Sequence, residues 1–406
     1  MQSKLTSQRS CFSVSHLVEV ARCFLLVLID RITLMVPCGH SSDGKTRVLI
    51  IRLDAVGDFV LWLDAARALR TLYPPHSHEL YLLGNLAWCG LAEHFPYFDH
   101  VWPLDRNKFI ENISYRFAVM KKIRMAGFLK VVQPTYSREF FFGDEVVRVS
   151  GARERTGYES NCSNTSRWGL MFSDRWYTRL IPAAPGLSSE LVRNAEFIRK
   201  LGFGEFRAAV PELKYIATCD KKLLPSKYYV IVPGAGASLR QWPVARFKEV
   251  AKRIYQLTGW AGVICGVSSE EHLGAAIVCD EQIPLVNLVG DTSLAELNEV
   301  ISGARVVVGN ESSAIHFAAA LSTPAVCVMG GGHYGRFLPY NVEVPTCNVL
   351  PETVCCVMEC FGCDWRCIFD VGETKPAPCI SQITVEIVMS RIEKIITKIE
   401  SENTRK

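Results

Sequence analysis

Three loops of this sequence carry residue types suited to acid–base and anion-binding chemistry. The first is Arg52-Leu53-Asp54-Ala55-Val56-Gly57-Asp58, between the apolar run Val48-Leu49-Ile50-Ile51 and an apolar helical pattern. Gly57 permits a tight turn, and Asp58 at a helix start lies where aligned peptide dipoles favour a carboxylate that can accept a proton. A helix cap is the other reading of Asp58, and a solvated loop acid the other reading of Asp54. The second loop is Val232-Pro233-Gly234-Ala235-Gly236-Ala237-Ser238-Leu239-Arg240-Gln241-Trp242-Pro243. Small residues at Gly234, Ala235, Gly236 and Ser238 let an anion reach backbone N–H groups, and Arg240 offers a charge-assisted fork to a diphosphate. The loop lacks both the Lys-Ser/Thr ending of a P-loop and the three-glycine dinucleotide fingerprint, so a plain turn before a helix at Pro243 stays open. The third begins at Val308-Gly309, where Asn310, Glu311, Ser312 and Ser313 crowd a helix start, His316 follows, and Ala318-Ala319-Ala320 allows close packing behind. Anion or ribose binding is favoured there over a capped helix with a buried histidine.

Two further segments are rich in ligand-type residues. Gly330-Gly331-Gly332-His333-Tyr334-Gly335-Arg336 offers His333 and Arg336 as phosphate or sugar contacts, with a flexible loop as the alternative. Seven of the sixteen cysteines fall between Cys347 and Cys379, and Cys360, Cys363 and Cys367 have ligand-like spacing, with Cys355 or Cys356 as a fourth sulfur. Cys356, Cys360, Cys363 and Cys367 are thus candidate ligands of a structural zinc or iron–sulfur centre; disulfide or redox chemistry and free thiols are the competing readings.

These loops need elements to position them. A chain of 406 residues suggests two domains at ~150 residues each with some excess. Buried-strand runs followed by helical patterns place strands at 48–51, 79–83, 130–132 and 207–210, with 107–128 helical. A second βα series places five more at 228–232, 261–265, 286–288, 306–308 and 325–329. Val385, Ile387, Val388, Ile392, Ile395, Ile396 and Ile399 recur at helical spacing near the end. The expected organisation is a leader 1–40, a Rossmann-like domain 41–216, a second one 217–382 with a Cys-rich segment 347–379, and an amphipathic helix 383–406. Two parallel sheets with their carboxyl ends at a shared central cleft would hold a ligand there. A formal charge of +4 is too mild for a dedicated nucleic-acid binder. The apolar stretch 17–36 is interrupted by Glu19, Arg22, Asp30 and Arg31, so it falls short of the ~20 apolar residues of a membrane span. An amphipathic helix on a membrane surface, or packed on the protein, is expected instead. The cysteines, at spacings unlike a disulfide scaffold, favour a reducing, cytoplasmic location.

Taken together, the three loops resemble glycosyltransferase family 9, the heptosyltransferases of lipopolysaccharide core assembly, over about Arg47 to Tyr340. The family's strand, Gly-Asp and apolar helix are matched by Gly57-Asp58-Phe59-Val60-Leu61, which places its catalytic base on Asp58. Its basic phosphate contact before Trp-Pro maps onto Arg240. Its Asn-Asp-Ser-Gly-Pro-x-His element is matched by Asn310-Glu311-Ser312-Ser313-Ala314-Ile315-His316, with Glu311 for aspartate and Ser313-Ala314 for Gly-Pro. The resemblance implies a GT-B fold, an inverting transfer of heptose or hexose from a nucleotide-diphosphate sugar to a glycolipid acceptor, and no required metal. Gly234, Ala235, Gly236, Ser238, Arg240, Asn310, Glu311, Ser312, Ser313, His316, His333 and Arg336 then form the donor site. Arg52 and Asp54 are acceptor contacts, and the basic stretch Arg148, Arg153, Arg155, Arg167, Arg175 and Arg179 suits an anionic acceptor or is a solvated face. A peripheral position on the inner membrane's cytoplasmic side is consistent with such an acceptor. A sugar-nucleotide epimerase of similar fold, or a non-catalytic nucleotide-sugar or metal-sensing protein, are the rival functions.

Overall fold

A computed structural model describes residues 14–40, 44–186, 188–216, 224–279, 283–372 and 375–404. Residues 1–13 of the expected leader and the expected boundary at 216/217 lie at or outside the limits of the described residues. Chain contacts divide the protein into two units: 1–53, 73–86 and 99–182 form the first, and 54–72, 87–98 and 183–406 the second.

The first unit contains a parallel sheet of β1 (Thr46–Arg52), β2 (His78–Asn85), β3 (His100–Leu104), β4 (Lys130–Gln133), β5 (Glu154–Tyr158) and β6 (Arg179–Ile181), in the order β3-β2-β1-β4-β5-β6. Central β1 is buried from Val48 to Arg52, as its unbroken β-branched run requires of a strand covered on both faces. Leu49 and Ile51 pack with Phe109, Met120, Ile123, Val131 and Val147. The helix Val14–Thr33 docks on the helix Ile113–Met125 through the buried Asp30–Arg116 ion pair, at 2.6 Å, while Phe24, Leu25, Leu28 and Ile32 stay exposed. No helix among the described residues is long and apolar enough to cross a membrane.

The second unit repeats the plan with β7 (Tyr228–Val232), β8 (Ala261–Ile264), β9 (Leu285–Asn287), β10 (Val307–Asn310), β11 (Ala325–Val328) and β12 (Glu352–Val354), ordered β12-β11-β10-β7-β8-β9. Both sheets therefore follow one winding order, with the direction reversing beside the first strand of each. In such sheets, loops leaving the carboxyl ends at the reversal are the natural ligand contacts. The 233–240 loop leaves β7 and Glu311-Ser312 leaves β10, its neighbour, so topology alone brings these two motifs together. The last helix, Val385–Thr404, buries Val388, Met389, Ile392 and Ile396 against this sheet's core. Removing each such side chain from water contributes about 1.5–3 kcal/mol.

Two expectations about strands are corrected. Residues 207–210 form no strand: Ala208 N–H donates to Glu343 Oε2 and Leu213 N–H to the Ala320 carbonyl, so this stretch is paired irregularly beside a small apolar cluster. The second sheet has six strands, not five, because the three-residue β12 adds at its edge. Strands β3, β5 and β6 also escaped the pattern. They are short, partly exposed and carry Pro103, Glu154, Arg155 or Arg179, which dilutes a buried-strand signature.

Candidate functional site

Asp58 is the third residue of the helix Val56–Leu72, inside its first turn and not its cap. The cap reading is thereby corrected, while the favourable N-terminal dipole remains. Gly57 explains how that helix approaches its neighbour: a Cβ there would stand 3.0 Å from His316 Cδ2 and 3.8 Å from Ser313 Cα. The two motifs, separated by about 250 residues of sequence, thus meet within the second unit. Behind them Leu61 packs with Leu191, Ala195 and Ala319, where alanine permits the close approach.

His316 is 5 % exposed, and its Nδ1 lies 2.7 Å from the Tyr340 hydroxyl. Burial, reinforced by the nearby Arg240 charge, pushes its pKa down to about 4. The neutral ring shares one hydrogen bond between Nδ1 and the Tyr340 hydroxyl. Burial also raises the Tyr340 phenol well above the ordinary tyrosine range, so that hydroxyl stays protonated.

Arg240 ends a short helical turn, Ser238–Arg240, and its Nη2 donates to Glu311 Oε2 at 3.2 Å and to the Glu311 carbonyl at 3.3 Å. Burial raises the Glu311 pKa, and Arg240 opposes the rise. Asn310 acts behind this pair: its Nδ2 donates to the Pro233 carbonyl at 2.7 Å and more weakly to that of Gly234, and its Oδ1 accepts from Trp242 N–H at 3.0 Å. Its amide is fully used in holding the 233–242 loop. Gly234 is buried against Glu270, whose carboxylate occupies the space a Cβ would need, and Ala235, Gly236 and Ser238 lie on the accessible side of the loop. Ser312 precedes the helix Ser313–Ala320, which Ser313 opens.

The glycine run has a packing reason. A Cβ on Gly330 or Gly332 would fall 2.6 or 2.4 Å from the Trp365 indole, and one on Gly331 would fall 2.1 Å from the Phe361 ring. Gly362 N–H donates to the Gly331 carbonyl at 2.8 Å and Asp364 N–H to that of Gly332 at 3.0 Å. The run is a bed for the Cys-rich segment. His333 Nε2 lies 3.0 Å from Asp364 Oδ1, and the Trp365 ring centroid lies 5.3 Å from the Arg240 guanidinium carbon. Asp364 and Trp365 hold φ of 51° and 58°, two consecutive non-glycine residues in the left-handed region. Such backbone costs about 1–3 kcal/mol per residue and persists only when its surroundings enforce it.

Arg240, Glu311, Ser312, His316 and His333 therefore share one neighbourhood with Trp365. Arg336 leans toward the helix Glu190–Leu201, with its Nε 3.8 Å from Glu190 Oε2 and its carbonyl accepting from Glu190 N–H. Arg52 is fully buried at the end of β1, and Asp54, half-buried, gives its carbonyl to Trp88 Nε1 at 2.8 Å. Within the basic stretch, Arg148 pairs with Glu145 and Arg155 donates to backbone carbonyls, whereas Arg153, Arg167, Arg175 and Arg179 are exposed. All described cysteines are free thiols. Cys360, Cys363, Cys367 and Cys379 line one cavity of about 10 Å³, while Cys356 donates to Gln382 Oε1 at 3.3 Å. The sequence reading missed Trp365, Asp364 and Cys379; the glycine run facing an aromatic Cys-Asp-Trp-Arg-Cys stretch was the signal available.

Residues 193–362 match the model of glycosyltransferase family 9 (heptosyltransferase). That match lies within the second unit and spans 193–362 of the 406 residues. It is 24 % identical over 307 residues to lipopolysaccharide heptosyltransferase 2 of Escherichia coli K12, covering 70 % of this chain and 82 % of that one. The solved ADP-heptose lipopolysaccharide heptosyltransferase II of E. coli superposes with a TM-score of 0.66 at 18 % identity, over 87 % of this chain and all of the other. A more distant likeness, with a TM-score of 0.52 at 13 % identity over 88 % of this chain and 79 % of the other, is to TibC, a dodecameric iron-containing heptosyltransferase solved with ADP-D-beta-D-heptose. That protein comes from enterotoxigenic E. coli. The two parallel-sheet units thus have the GT-B fold of these structures.

His316 gives this site a pH signature. Its pKa is about 4 when folded against 6.5 when exposed. Between those values the unfolded chain binds a proton that the folded one does not, so stability present above the higher value is lost as pH falls toward the lower. His316→Gln is expected to remove about 2 kcal/mol of the fall between neutral pH and about pH 4.5, read from urea melts of both proteins. Parallel pH profiles would contradict a buried neutral His316.

Proposed function

We propose that this chain is a glycosyltransferase of family 9 and transfers heptose or a hexose, with inversion, from a nucleotide-diphosphate sugar to a lipopolysaccharide-core or related glycolipid acceptor. The observation that carries this reading is the placement of Asp58 in a helix first turn that packs through Gly57 on His316, in the same unit as the Arg240–Glu311 pair. Asp58 takes the proton of an acceptor hydroxyl as its oxygen attacks the anomeric carbon. The bond from that carbon to the diphosphate oxygen breaks, and the nucleoside diphosphate leaves from the opposite face. Its growing charge is met by Arg240, by N–H groups of the 234–238 loop and by the start of the helix Ser313–Ala320, with no step that needs a divalent metal. Asn310 sets the loop and Glu311 orients Arg240. Arg52 and Asp54 remain proposed acceptor contacts, Asp54 the more accessible of the two.

The thiol cluster enters this reading as a structural metal site. Four sulfurs are the donor set of tetrahedral zinc or iron, and the shared cavity replaces Cys356 by Cys379 in that set. The iron in TibC supports the same choice. As they stand, no three His, Cys, Asp or Glu side chains among the described residues are arranged to hold an ion, so the sulfurs must draw in on binding. Burial holds the Cys379 thiol in its protonated form, and an ion would have to displace that proton. Such a centre would supply rigidity, tying the 360–367 turn to the helix Pro378–Ser381. The exposed Phe24, Leu25, Leu28, Ile32 and Met35 support contact of the first helix region with the membrane that carries a lipid acceptor.

Three measurements test these statements. Mass spectrometry of the protein with ADP-heptose, other nucleotide sugars and lipid-core acceptors is expected to detect acceptor-dependent transfer. Asp58→Ala should lower it by about 10²–10⁴-fold with donor binding retained; donor turnover without acceptor would favour an epimerase, and binding without any transfer a non-catalytic protein. Elemental analysis should find about one iron or zinc per chain, lost in Cys363→Ser; a metal-free, fully active protein would leave the cysteines as thiols. Sedimentation with anionic vesicles should fall several-fold in Phe24→Ser/Leu28→Ser, and equal pelleting of both proteins would refute membrane contact by this face.

A further inference from the structure

Five buried side-chain atoms around the 330–336 loop lack hydrogen-bond partners: Arg240 Nε, Glu311 Oε1, Ser312 Oγ, His333 Nδ1 and Trp365 Nε1. Buried polar atoms are normally paired, so a concentration at one place marks where a polar ligand completes the structure. Their chemistry is mixed in a particular way. Arg240 Nε and Trp365 Nε1 can only donate. With Nε2–H given to the Asp364 carboxylate, His333 Nδ1 can only accept, and Glu311 Oε1 accepts whenever its carboxyl is ionised. A ligand serving all of them must offer acceptor oxygens beside hydroxyl donors. A sugar diphosphate does both.

Trp365 is held for this purpose by features independent of its nitrogen. Its indole rests on Gly330 and Gly332, faces Arg240 and meets the His333 ring nearly edge-on at 6.1 Å between centroids. It also adopts a left-handed backbone conformation that a tryptophan rarely takes. We propose that Trp365 is a donor-substrate contact whose indole N–H donates to a diphosphate oxygen beside Arg240, while His333 Nδ1 accepts a hydroxyl of the transferred sugar. The Cys-rich segment is then part of the donor site and shapes which nucleotide sugar is bound. This inference rests on the glycosyl-transfer reading above.

Trp365→Phe keeps an aromatic ring over Arg240 and the glycines and removes the N–H. Calorimetry with ADP and with ADP-heptose is expected to show both bound about ten-fold more weakly by Trp365→Phe, and only ADP-heptose bound more weakly by His333→Phe. In transfer assays KM for the donor should rise with kcat nearly unchanged. A measurement on the unmutated protein guards against a misfolded variant: the Trp365 indole N–H resonance, one of eight tryptophan side-chain signals, should move downfield as ADP is added. If the wild type binds both ligands, Trp365→Phe binds them equally well and the resonance does not move, Trp365 has no such role and the transferase reading stands. If the wild type binds neither ADP nor any nucleotide sugar, that reading fails and this inference with it.

Discussion

The second unit depends on a carboxylate that the fold has buried and a guanidinium that makes the burial tolerable. Glu311 is 5 % exposed, and Arg240 reaches both its side chain and its carbonyl. Stripping water from a carboxylate costs several kcal/mol, and a paired, hydrogen-bonded cation offsets much of that. The phosphate-type loop after β7 and the helix start after β10 therefore cannot shift independently. Asn310 adds three hydrogen bonds between the same two loops. The result is a preorganised cation, whose fixed electrostatics would meet the leaving group's charge without reorganisation in the proposed transfer. The family's usual aspartate is replaced here by a residue one methylene longer, and the longer arm is the one that engages Arg240.

Burial keeps two neighbouring histidines, His316 and His333, neutral, and the Arg240 charge reinforces it. A neutral His316 can accept from Tyr340, which fixes the 330–340 loop relative to the helix Ser313–Ala320. A neutral His333 leaves one ring nitrogen as an acceptor. Burial, with the Arg240 charge adding to it, thus keeps both rings neutral, while the guanidinium's own face receives an indole.

Much of this arrangement was legible in the sequence because the chemistry sits next to strongly patterned elements. Buried runs such as Val48–Ile51 and Tyr228–Val232 announce central strands, and the motif loops follow them directly. Asp58, Arg240, Glu311 and His316 were accessible for that reason. Edge and outer strands were not, since β3, β5, β6 and β12 are short, polar and register only through pairing. That Cys379, and not Cys356, shares a cavity with Cys360, Cys363 and Cys367 was not legible, because Cys379 reaches it from a helix that the chain must travel back to supply. Trp365 was invisible for a different reason. Its importance lies in the absence of side chains at Gly330 and Gly332, a complementarity between distant segments that no local period encodes.

The left-handed Asp364–Trp365 pair shows how the thiols bear on the donor loop. Backbone of this kind relaxes unless its two ends are fixed. The preceding residue is Cys363 and the second following residue is Cys367, and both sulfurs face the cavity shared with Cys360 and Cys379. On the other side, the Asp364 N–H and carboxylate are held by Gly332 and His333. The turn is therefore held from the donor loop, and a metal bound by the thiols, as proposed above, would hold it from the other side as well. Loosening either hold would let the backbone return to an ordinary conformation, which would swing the indole from Arg240 and the carboxylate from His333. The proposed thiol centre and the proposed nucleotide-sugar contacts are thus joined by one five-residue turn, so that a change in the thiols would reach the donor loop without any movement of the sheet.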